Sequence, residues 1–524
     1  MKKFCTLAVI LALTGTGFLF VEGCKPKAPS VAGGKISSAE KTSFKEVTSK
    51  LDEGGSFYLY LSTEQWLNNL SGKIGNLHQL VSSLPDVQDK REDIDKAFNV
   101  GTQLVKDSGL EEISGIGMSS IAREPGFYHN KLIVHHYSGQ GNGFMWTIFG
   151  KEPHELDGLD LLPANTAMAA FYDLDAAQVW AVIEKECDQS GFPEAKNSLD
   201  KFRREFAQNA QMKWEDAIGS LGGEFGIVVT LDPSRMITIP LPTQQPLDIP
   251  EPGFMLVIKV KNDAIFNRID TALTKSGQQV IRVDKDGVKM RTVSVPVPIV
   301  TLRPSVASSG GYLFIATTDG LIQEALAVKG GKPGLKSTDE FKRLADGLPQ
   351  QGNQFCFLSR RFGQTVRKVQ QEALEMHQQA NPQVNELLKS FLDPNRAAFT
   401  FAVGANTDEG WMTVANGNQG SGNVLAASAV IPGLLAGIAV PNFIKARETS
   451  QKNTCINNLR LIDGAKQQWA LEKNKKETDT PTWDDIQPYL GRGKTSLHCP
   501  NGGQYTIGAM SQQPTCSVAG HALP

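Results

Sequence analysis

One unit recurs along this chain and limits what it can fold into: an apolar strand followed closely by an amphipathic helix. Strands are predicted at 56–61, 166–172, 253–260 and 353–358, and a helix is predicted shortly after each of them. The copies begin roughly ninety to a hundred residues apart, which favours a duplicated domain over a solenoid. Strands and helices that alternate in this way, with hairpin signals between them, predict an α+β fold in which helices cover antiparallel sheets.

Two stretches between these copies carry hairpin signals. Residues 279–283 and 288–293 flank an Asp-Lys-Asp-Gly turn, and residues 127–137 and 143–149 flank a glycine-rich turn. Turn residues between two apolar runs are typical of β-hairpins. Both stretches are therefore predicted to form one.

At 524 residues the chain exceeds what one ordinary hydrophobic core can organise, so several domains are expected. A polar, glycine-rich linker at 416–423 marks the clearest boundary. The predicted organisation is a signal peptide at 1–23, a tether at 24–55, two similar α+β halves at 56–230 and 231–417, a linker with a hydrophobic helix at 418–441, and a C-terminal module at 442–524.

The N-terminus has the layout of a secretory signal, with a short positive region followed by an apolar stretch at 4–21. Its end resembles a bacterial lipoprotein signal, because Gly23 and Cys24 fit that pattern, although Glu22 departs from it. The resemblance implies lipidation of Cys24. A plain signal with an incidental cysteine and an uncleaved anchor are the alternatives. We predict an exported protein that is anchored to a membrane of the cell envelope on its periplasmic side.

The balance of charge excludes one class of partner. The chain has 53 basic and 55 acidic residues, and no long block of like charge occurs. Nucleic-acid-binding proteins carry a basic patch or stripe, so no nucleic acid is expected as a partner.

The C-terminal module carries the most specific motif. Residues 434–447 read Leu-Leu-Ala-Gly-Ile-Ala-Val-Pro-Asn-Phe-Ile-Lys-Ala-Arg and closely resemble the N-terminal helix of type IV pilins and type II secretion pseudopilins. Downstream, apolar residues recur on one face of a predicted helix at Cys455, Leu459, Ile462 and Trp469. The resemblance implies a long helix followed by a small β-hairpin.

The module also departs from the pilin pattern. Pilins carry a glutamate near the start of this helix and a processing site before it. Val424 stands at the glutamate position here, and no such site occurs at 419–425. The resemblance therefore implies a pilin-derived module rather than a major filament subunit.

The uncharged run at 424–440 is a second candidate for membrane contact. Seventeen helical residues span about 26 Å, slightly short of the hydrocarbon core, and residues 441–444 would extend them. Both a helix at 424–444 that stays on the outer side and a spanning helix remain open. The predicted partners are thus the membrane, through the lipid anchor and this segment, and proteins of the envelope or secretion apparatus.

Seven cysteines are present. Cys499 and Cys516 flank a glycine-rich stretch near the C-terminus, and we predict a disulfide between them in an exported protein. Cys455 is then left over and is predicted to be buried on a helix.

No constellation in the sequence predicts catalysis. Residues 491–495 resemble a phosphate-binding loop, but Pro488 replaces its first glycine. His135 and His136 are adjacent on a predicted strand and therefore point to opposite faces, so they do not predict a metal site with His129. A pseudopilin-type calcium site lacks support because no carboxylate side chain follows Asp485. No catalytic residue, cofactor or metal ligand is predicted.

Three functions are carried forward. The leading hypothesis is a non-enzymatic, lipid-anchored envelope protein whose pilin-like module serves interaction or assembly. The second is a minor pseudopilin-like subunit of a type II secretion or type IV pilus system. The third is an exported enzyme or small-ligand-binding protein with a site that forms only in the fold.

Overall fold

The computed structural model describes residues 42–84, 91–239, 246–294, 302–377, 397–421, 452, 454–490, 497, 499, 502–518 and 520–523. The chain divides into two compact units, Met1–Leu425 and Ala426–Pro524. Among the described residues, no helix combines the length and the apolar character needed to cross a bilayer. The predicted signal, Cys24 and the segment 424–444 lie outside the described residues.

The first unit is built on a large antiparallel sheet. Its strands are β1 (Phe57–Ser62), β2 (Gly115–Glu124), β3 (Phe127–His135), β4 (His154–Glu155), β5 (Thr166–Asp173), β6 (Leu221–Ile239), β7 (Leu247–Val260), β8 (Val280–Lys285), β9 (Val288–Val293), β10 (Ser305–Ser309), β11 (Tyr312–Ala316), β12 (Gln351–Gly352), β13 (Gln354–Leu358), β14 (Thr400–Thr407) and β15 (Gly410–Gly417). Thirteen of them form one sheet in the order β1-β2-β3-β15-β14-β13-β5-β6-β7-β11-β10-β9-β8, and β12 pairs with β4.

Helices connect and cover these strands. They are α1 (Phe44–Thr48), α2 (Glu64–Leu67), α3 (Leu70–Ser82), α4 (Arg91–Ser108), α5 (Ala176–Gln189), α6 (Pro193–Ala210), α7 (Trp214–Gly219), α8 (Ala264–Lys275), α9 (Asp319–Lys329), α10 (Asp339–Ala345) and α11 (Arg360–His377). The predicted α+β class with an antiparallel sheet is confirmed. Each of the four predicted strand–helix units is present, at β1 with α2 and α3, β5 with α5, β7 with α8, and β13 with α11.

The recurring unit is larger than its sequence signal suggested. Three times, a strand is followed by helices and two further strands, and the three strands lie side by side in chain order: β1-β2-β3, β5-β6-β7 and β13-β14-β15. The predicted boundary after residue 230 falls within β6, so the two predicted halves share one sheet. Hydrogen bonding is continuous across that boundary, because β6 pairs with β5 on one side and with β7 on the other.

One predicted hairpin forms and the other does not. β8 pairs with β9 around a turn in which Asp286 and Gly287 adopt positive φ angles of 53° and 77°. The hairpin predicted for residues 127–149 is wrong, because β3 pairs with β2 and β15, and Phe144–Trp146 is a short 3-10 helix. Trp146 is 2% exposed and its ring lies 4.8 Å from that of Trp411. Burial of this large aromatic side chain takes the segment out of the sheet.

The core of the first unit centres on stacked phenylalanines. The rings of Phe171 and Phe355 lie 4.9 Å apart and are nearly parallel, and Phe401 lies 6.2 Å from Phe355. All three side chains are at most 3% exposed. Gly226 faces the ring of Phe171, and a Cβ atom at that position would overlap it. Burial of each such side chain contributes about 1.5–3 kcal/mol to folding.

The second unit joins a helix to a small hairpin. Residues 454–472 form α12, Trp483–Ile486 form α13, and β16 (Tyr505–Thr506) pairs with β17 (Thr515–Cys516). The predicted apolar face of α12 is confirmed: Cys455, Leu459, Ile462 and Trp469 are all at most 5% exposed. Ile462 and Trp469 belong to a core that includes Ile486, Leu490 and Ile507. The small terminal hairpin implied by the resemblance is present.

Candidate functional site

The histidines on β3 and after it each have their own polar partner. Nδ1 of His129 lies 2.7 Å from Oδ1 of Asn416, and Nδ1 of His135 lies 2.6 Å from Oγ of Ser114. Nδ1 of His136 lies 2.9 Å from the carbonyl oxygen of Tyr137. These hydrogen bonds explain why buried imidazoles are tolerated in this part of the sheet.

The clearest cluster of reactive side chains lies in the second unit. Cys455 comes from α12, Cys516 ends β17, and Cys499 and His521 lie in the segments before β16 and after β17. The four donor atoms all lie within 4.8 Å of one another. Residues that are up to 66 positions apart in the chain therefore meet at one point, because the hairpin packs against the helix.

The cluster is shielded from solvent. Cys455 is 0% exposed, Cys499 is 3% exposed and His521 is 6% exposed, whereas Cys516 is partly exposed. Burial raises the pKa of the Cys455 thiol to about 12. The cluster is thus a set of soft donors in a site that water reaches poorly.

A glycine makes room for these sulfur atoms. A Cβ atom at Gly503 would lie 2.6 Å from Sγ of Cys516 and 3.3 Å from Sγ of Cys499. The backbone N–H of Gly502 donates to the carbonyl oxygen of Cys499 at 2.9 Å and closes a turn in which Gly502 has a φ of 76°. This turn directs the chain around Cys499 and brings Gly503 beside the cluster.

The predicted disulfide between Cys499 and Cys516 is not formed in the structure. The two cysteines do come together, but none of the five described cysteines forms a disulfide. The sequence-based pairing considered only these two residues, whereas Cys455 and His521 occupy the same site. His521 was missed because it belongs to no spacing motif within a single element. The Cys-Pro-Asn-Gly-Gly turn and the short spacing from Cys516 to His521 are the signals that point to it.

A second site lies in the first unit, where β5 and β7 end and β6 begins. A cavity of 410 Å³ opens here. Ionisable side chains line it: Lys151, His154, Asp173, Asp175, Glu224, Lys259 and Lys261. This polar cleft was not predicted, because its residues are spread over positions 147–261 and only the fold brings them together.

One wall of the polar cleft is a hydrogen-bonded chain. Nε2 of His154 lies 2.9 Å from Oδ2 of Asp173, and Nδ2 of Asn353 donates to the same oxygen at 3.0 Å. Burial by itself would lower the pKa of His154, but the hydrogen bonds to Asp173 and to the carbonyl oxygen of Glu155 outweigh it and raise that pKa. His154 is therefore biased toward its protonated form.

A buried carboxyl group lies beside this hydrogen-bonded chain, because Glu224 of β6 is the cross-strand partner of Asp173. Glu224 is 5% exposed, and burial raises its pKa. Nζ of Lys259 lies 3.8 Å from Oε2, which is long for an ion pair, and Oε1 has no hydrogen-bond partner of standard geometry among the described residues. The polar cleft thus offers a buried carboxyl group and cationic side chains to a small polar molecule.

One comparison with known proteins finds a match in the part of the chain that holds the polar cleft. Residues 148–393 match the family model described as "Protein of unknown function (DUF3352)". The match includes the strands that form the polar cleft and ends before the second unit. No curated protein and no solved structure matches the chain. Over residues 148–393, the chain therefore resembles that family.

Proposed function

We propose that this protein is a non-enzymatic component of the cell envelope, exported and lipid-anchored at Cys24, whose C-terminal module serves interaction or assembly. The observation that carries the proposal is that residues 426–524 form a compact unit of their own. The uncharged run at 424–440 lies at the start of this unit, an order expected of a small domain that follows an apolar membrane-contacting segment.

The surface of α12 supports an interaction role. The helix buries one apolar face within its unit, yet Leu461 and Leu471 on the remaining surface are 55% and 81% exposed. More than half of each leucine is therefore left uncovered within the unit. They are therefore available to a protein or membrane surface next to the module.

Mass spectrometry of the mature protein tests the anchor. The expected chain begins at Cys24 and carries acyl groups. Recovery of the full chain with Met1 in place and no acyl group would overturn the proposal, because it would remove both export and anchoring.

Photo-crosslinking in cells tests the interaction role. A photoreactive residue at Leu471 or Leu461 is expected to capture envelope proteins, whereas one at the exposed Gln278 in the first unit serves as the control. Capture of cytoplasmic proteins alone, or equal capture from all three positions, would contradict the proposal. Enrichment of pilus or pseudopilus subunits would instead favour the minor pseudopilin.

The polar cleft favours a second candidate function, the binding of a small zwitterionic molecule. Lys259 and Lys261 suit a carboxylate group of such a ligand, and Asp173 suits an ammonium group. Calorimetric titration of the full chain with a set of amino acids tests this function. We expect binding that Lys261→Met weakens, with Lys285→Met on the exposed β8–β9 hairpin as the control. Absence of heat with every amino acid would exclude it.

A further inference from the structure

Four metal-binding side chains meet in the second unit, close enough together to surround one ion. Sγ of Cys499 lies 3.6 Å from Nδ1 of His521, and no pair among the four donor atoms is more than 4.8 Å apart. Bonds of about 2.3 Å from zinc to sulfur and about 2.0 Å to nitrogen place neighbouring ligands of a tetrahedron about 3.5–3.8 Å apart. The cluster therefore needs only small side-chain adjustments to surround one ion.

The donor set determines which metal fits. Three thiolates and one imidazole are the ligands that zinc prefers in structural sites, whereas calcium and magnesium take oxygen ligands. The four side chains complete a tetrahedron without an open position for water or substrate. The arrangement is thus that of a structural site rather than a catalytic one.

A disulfide accounts for the cluster less completely. It would use Cys499 and Cys516 and leave the buried Cys455 and His521 beside it without a role. One metal ion would bind all four side chains. Because Gly503 has no side chain, the space beside the sulfur atoms of Cys499 and Cys516 stays open.

The second unit is small, so a bound ion would add to its stability. β16 and β17 pair over two residues each, and the buried core of this unit is small. Small domains bury too little apolar surface for high stability and are commonly reinforced by a metal. Cys455 anchors the cluster to α12, while the other three donors come from the hairpin and its flanks. An ion would therefore fasten the hairpin to the helix.

We propose that Cys455, Cys499, Cys516 and His521 bind one Zn²⁺ ion that holds the hairpin of the C-terminal module against α12. The site stands independently of the envelope role, because it rests on residues 455–521 alone. Failure of export or anchoring would leave it unchanged, and failure of zinc binding would leave the lipid anchor unchanged.

Metal analysis of the full chain tests the site. The chain, purified under reducing conditions and supplied with Zn²⁺, is expected to hold one zinc ion in native mass spectrometry. Cys455→Ser, Cys516→Ser and His521→Gln should each lower zinc affinity by more than about tenfold, since even changes outside the ligand shell cost 10–100-fold. Cys187→Ser and Cys356→Ser, which lie outside the cluster, are the matched controls and should bind zinc as the unsubstituted chain does.

Absorption spectra of the Co²⁺-loaded chain test the proposal even if these variants fail to fold. The unsubstituted chain loaded with Co²⁺ should show sulfur-to-cobalt charge-transfer absorption together with the visible bands of a tetrahedral centre. Absence of these bands would overturn the proposal, as would zinc binding that the Cys187→Ser control weakens as much as the cluster variants do. Thiol trapping in intact cells gives the remaining outcome. Recovery of a Cys499–Cys516 disulfide in place of metal-protected thiols would also overturn it.

Discussion

Nζ of Lys466 on α12 lies 2.6 Å from the carbonyl oxygen of Gln512, in the loop that joins β16 to β17. The same ammonium group donates to the carbonyl oxygens of Ile507 at 3.1 Å and Ala509 at 2.8 Å. Lys466 is 0% exposed. Burial lowers its pKa, whereas three carbonyl acceptors favour the charged form. One buried lysine thus ties the whole loop to the helix.

Lys466→Met should destabilise the second unit, because methionine keeps the length of the side chain but removes the donor. Each carbonyl group left without a partner in the interior costs about 1–3 kcal/mol. Hydrogen exchange followed by mass spectrometry should show faster exchange in peptides from 454–472 and 502–518, with peptides of the first unit unchanged. Lys473→Met, at an exposed position just beyond α12, is the control. If amide protection in Lys466→Met equals that in Lys473→Met, the loop does not depend on Lys466.

Gly503→Ala should weaken zinc binding without removing a ligand. The added methyl group would lie 2.6 Å from Sγ of Cys516, so this sulfur atom must move. Displacement of a ligand should lower zinc affinity by about 10–100-fold, as changes around the ligand shell do. Gly464→Ala is the matched control, because a Cβ atom there contacts nothing within 4 Å, and alanine favours the helix by about 1 kcal/mol. Competition with a chromophoric chelator measures both affinities. Unaltered affinity in Gly503→Ala would place the ion elsewhere.

Local sequence patterns predicted the features that depend on interactions between residues close together in the chain. The apolar spacing of Cys455, Leu459, Ile462 and Trp469 predicted the buried face of α12, because helical periodicity decides which side chains share a face. The turn at Asp286 and Gly287 predicted the β8–β9 hairpin for a similar reason. In each case the partners lie within one element or in adjacent ones.

Features that depend on contacts between residues far apart in the chain could not be predicted from local sequence patterns. β3 pairs with β15, nearly 300 residues away, and no turn signal encodes that choice. In the polar cleft, Asn353 meets Asp173, 180 residues away, because β13 pairs with β5. His521 likewise reaches Cys455 through the packing of the hairpin on α12. Their proximity follows from the tertiary fold rather than from spacing along the chain.

Gly226→Ala should destabilise the sheet of the first unit. A Cβ atom at this position would overlap the ring of Phe171, which is 2% exposed and stacked on Phe355, so the ring cannot swing aside. Overpacking of this kind costs about 1–3 kcal/mol. Thermal unfolding should show a lower midpoint, whereas Gly219→Ala, with open space around the added methyl group, should change it little. Adding Phe171→Leu to Gly226→Ala should recover part of the loss. No recovery would mean that the ring is not the obstacle.

The pair of His154 and Asp173 should make the first unit more stable in mild acid than in mild base. The folded protein binds the histidine proton more tightly than the unfolded chain, since the pKa of His154 is raised by Asp173 and the carbonyl oxygen of Glu155. This stabilisation is fully present below the unfolded-state pKa of about 6.5 and disappears as the pH rises through the higher folded-state pKa. His154 is 40% exposed, so solvent screening keeps the contribution below about 1 kcal/mol.

Asp173→Asn should remove this dependence, because the neutral amide no longer favours the imidazolium ion. Protection factors of amides in β4 and β5, corrected for intrinsic exchange, would be compared at about pH 5.5 and about pH 8.5, on either side of the histidine titration. The unsubstituted chain should lose protection at the higher pH, while Asp173→Asn should show a smaller difference between the two conditions. Glu155→Gln removes a neighbouring exposed carboxylate but keeps the carbonyl acceptor, so it should behave like the unsubstituted chain. An identical pH response in Asp173→Asn would mean that another group titrates in this region.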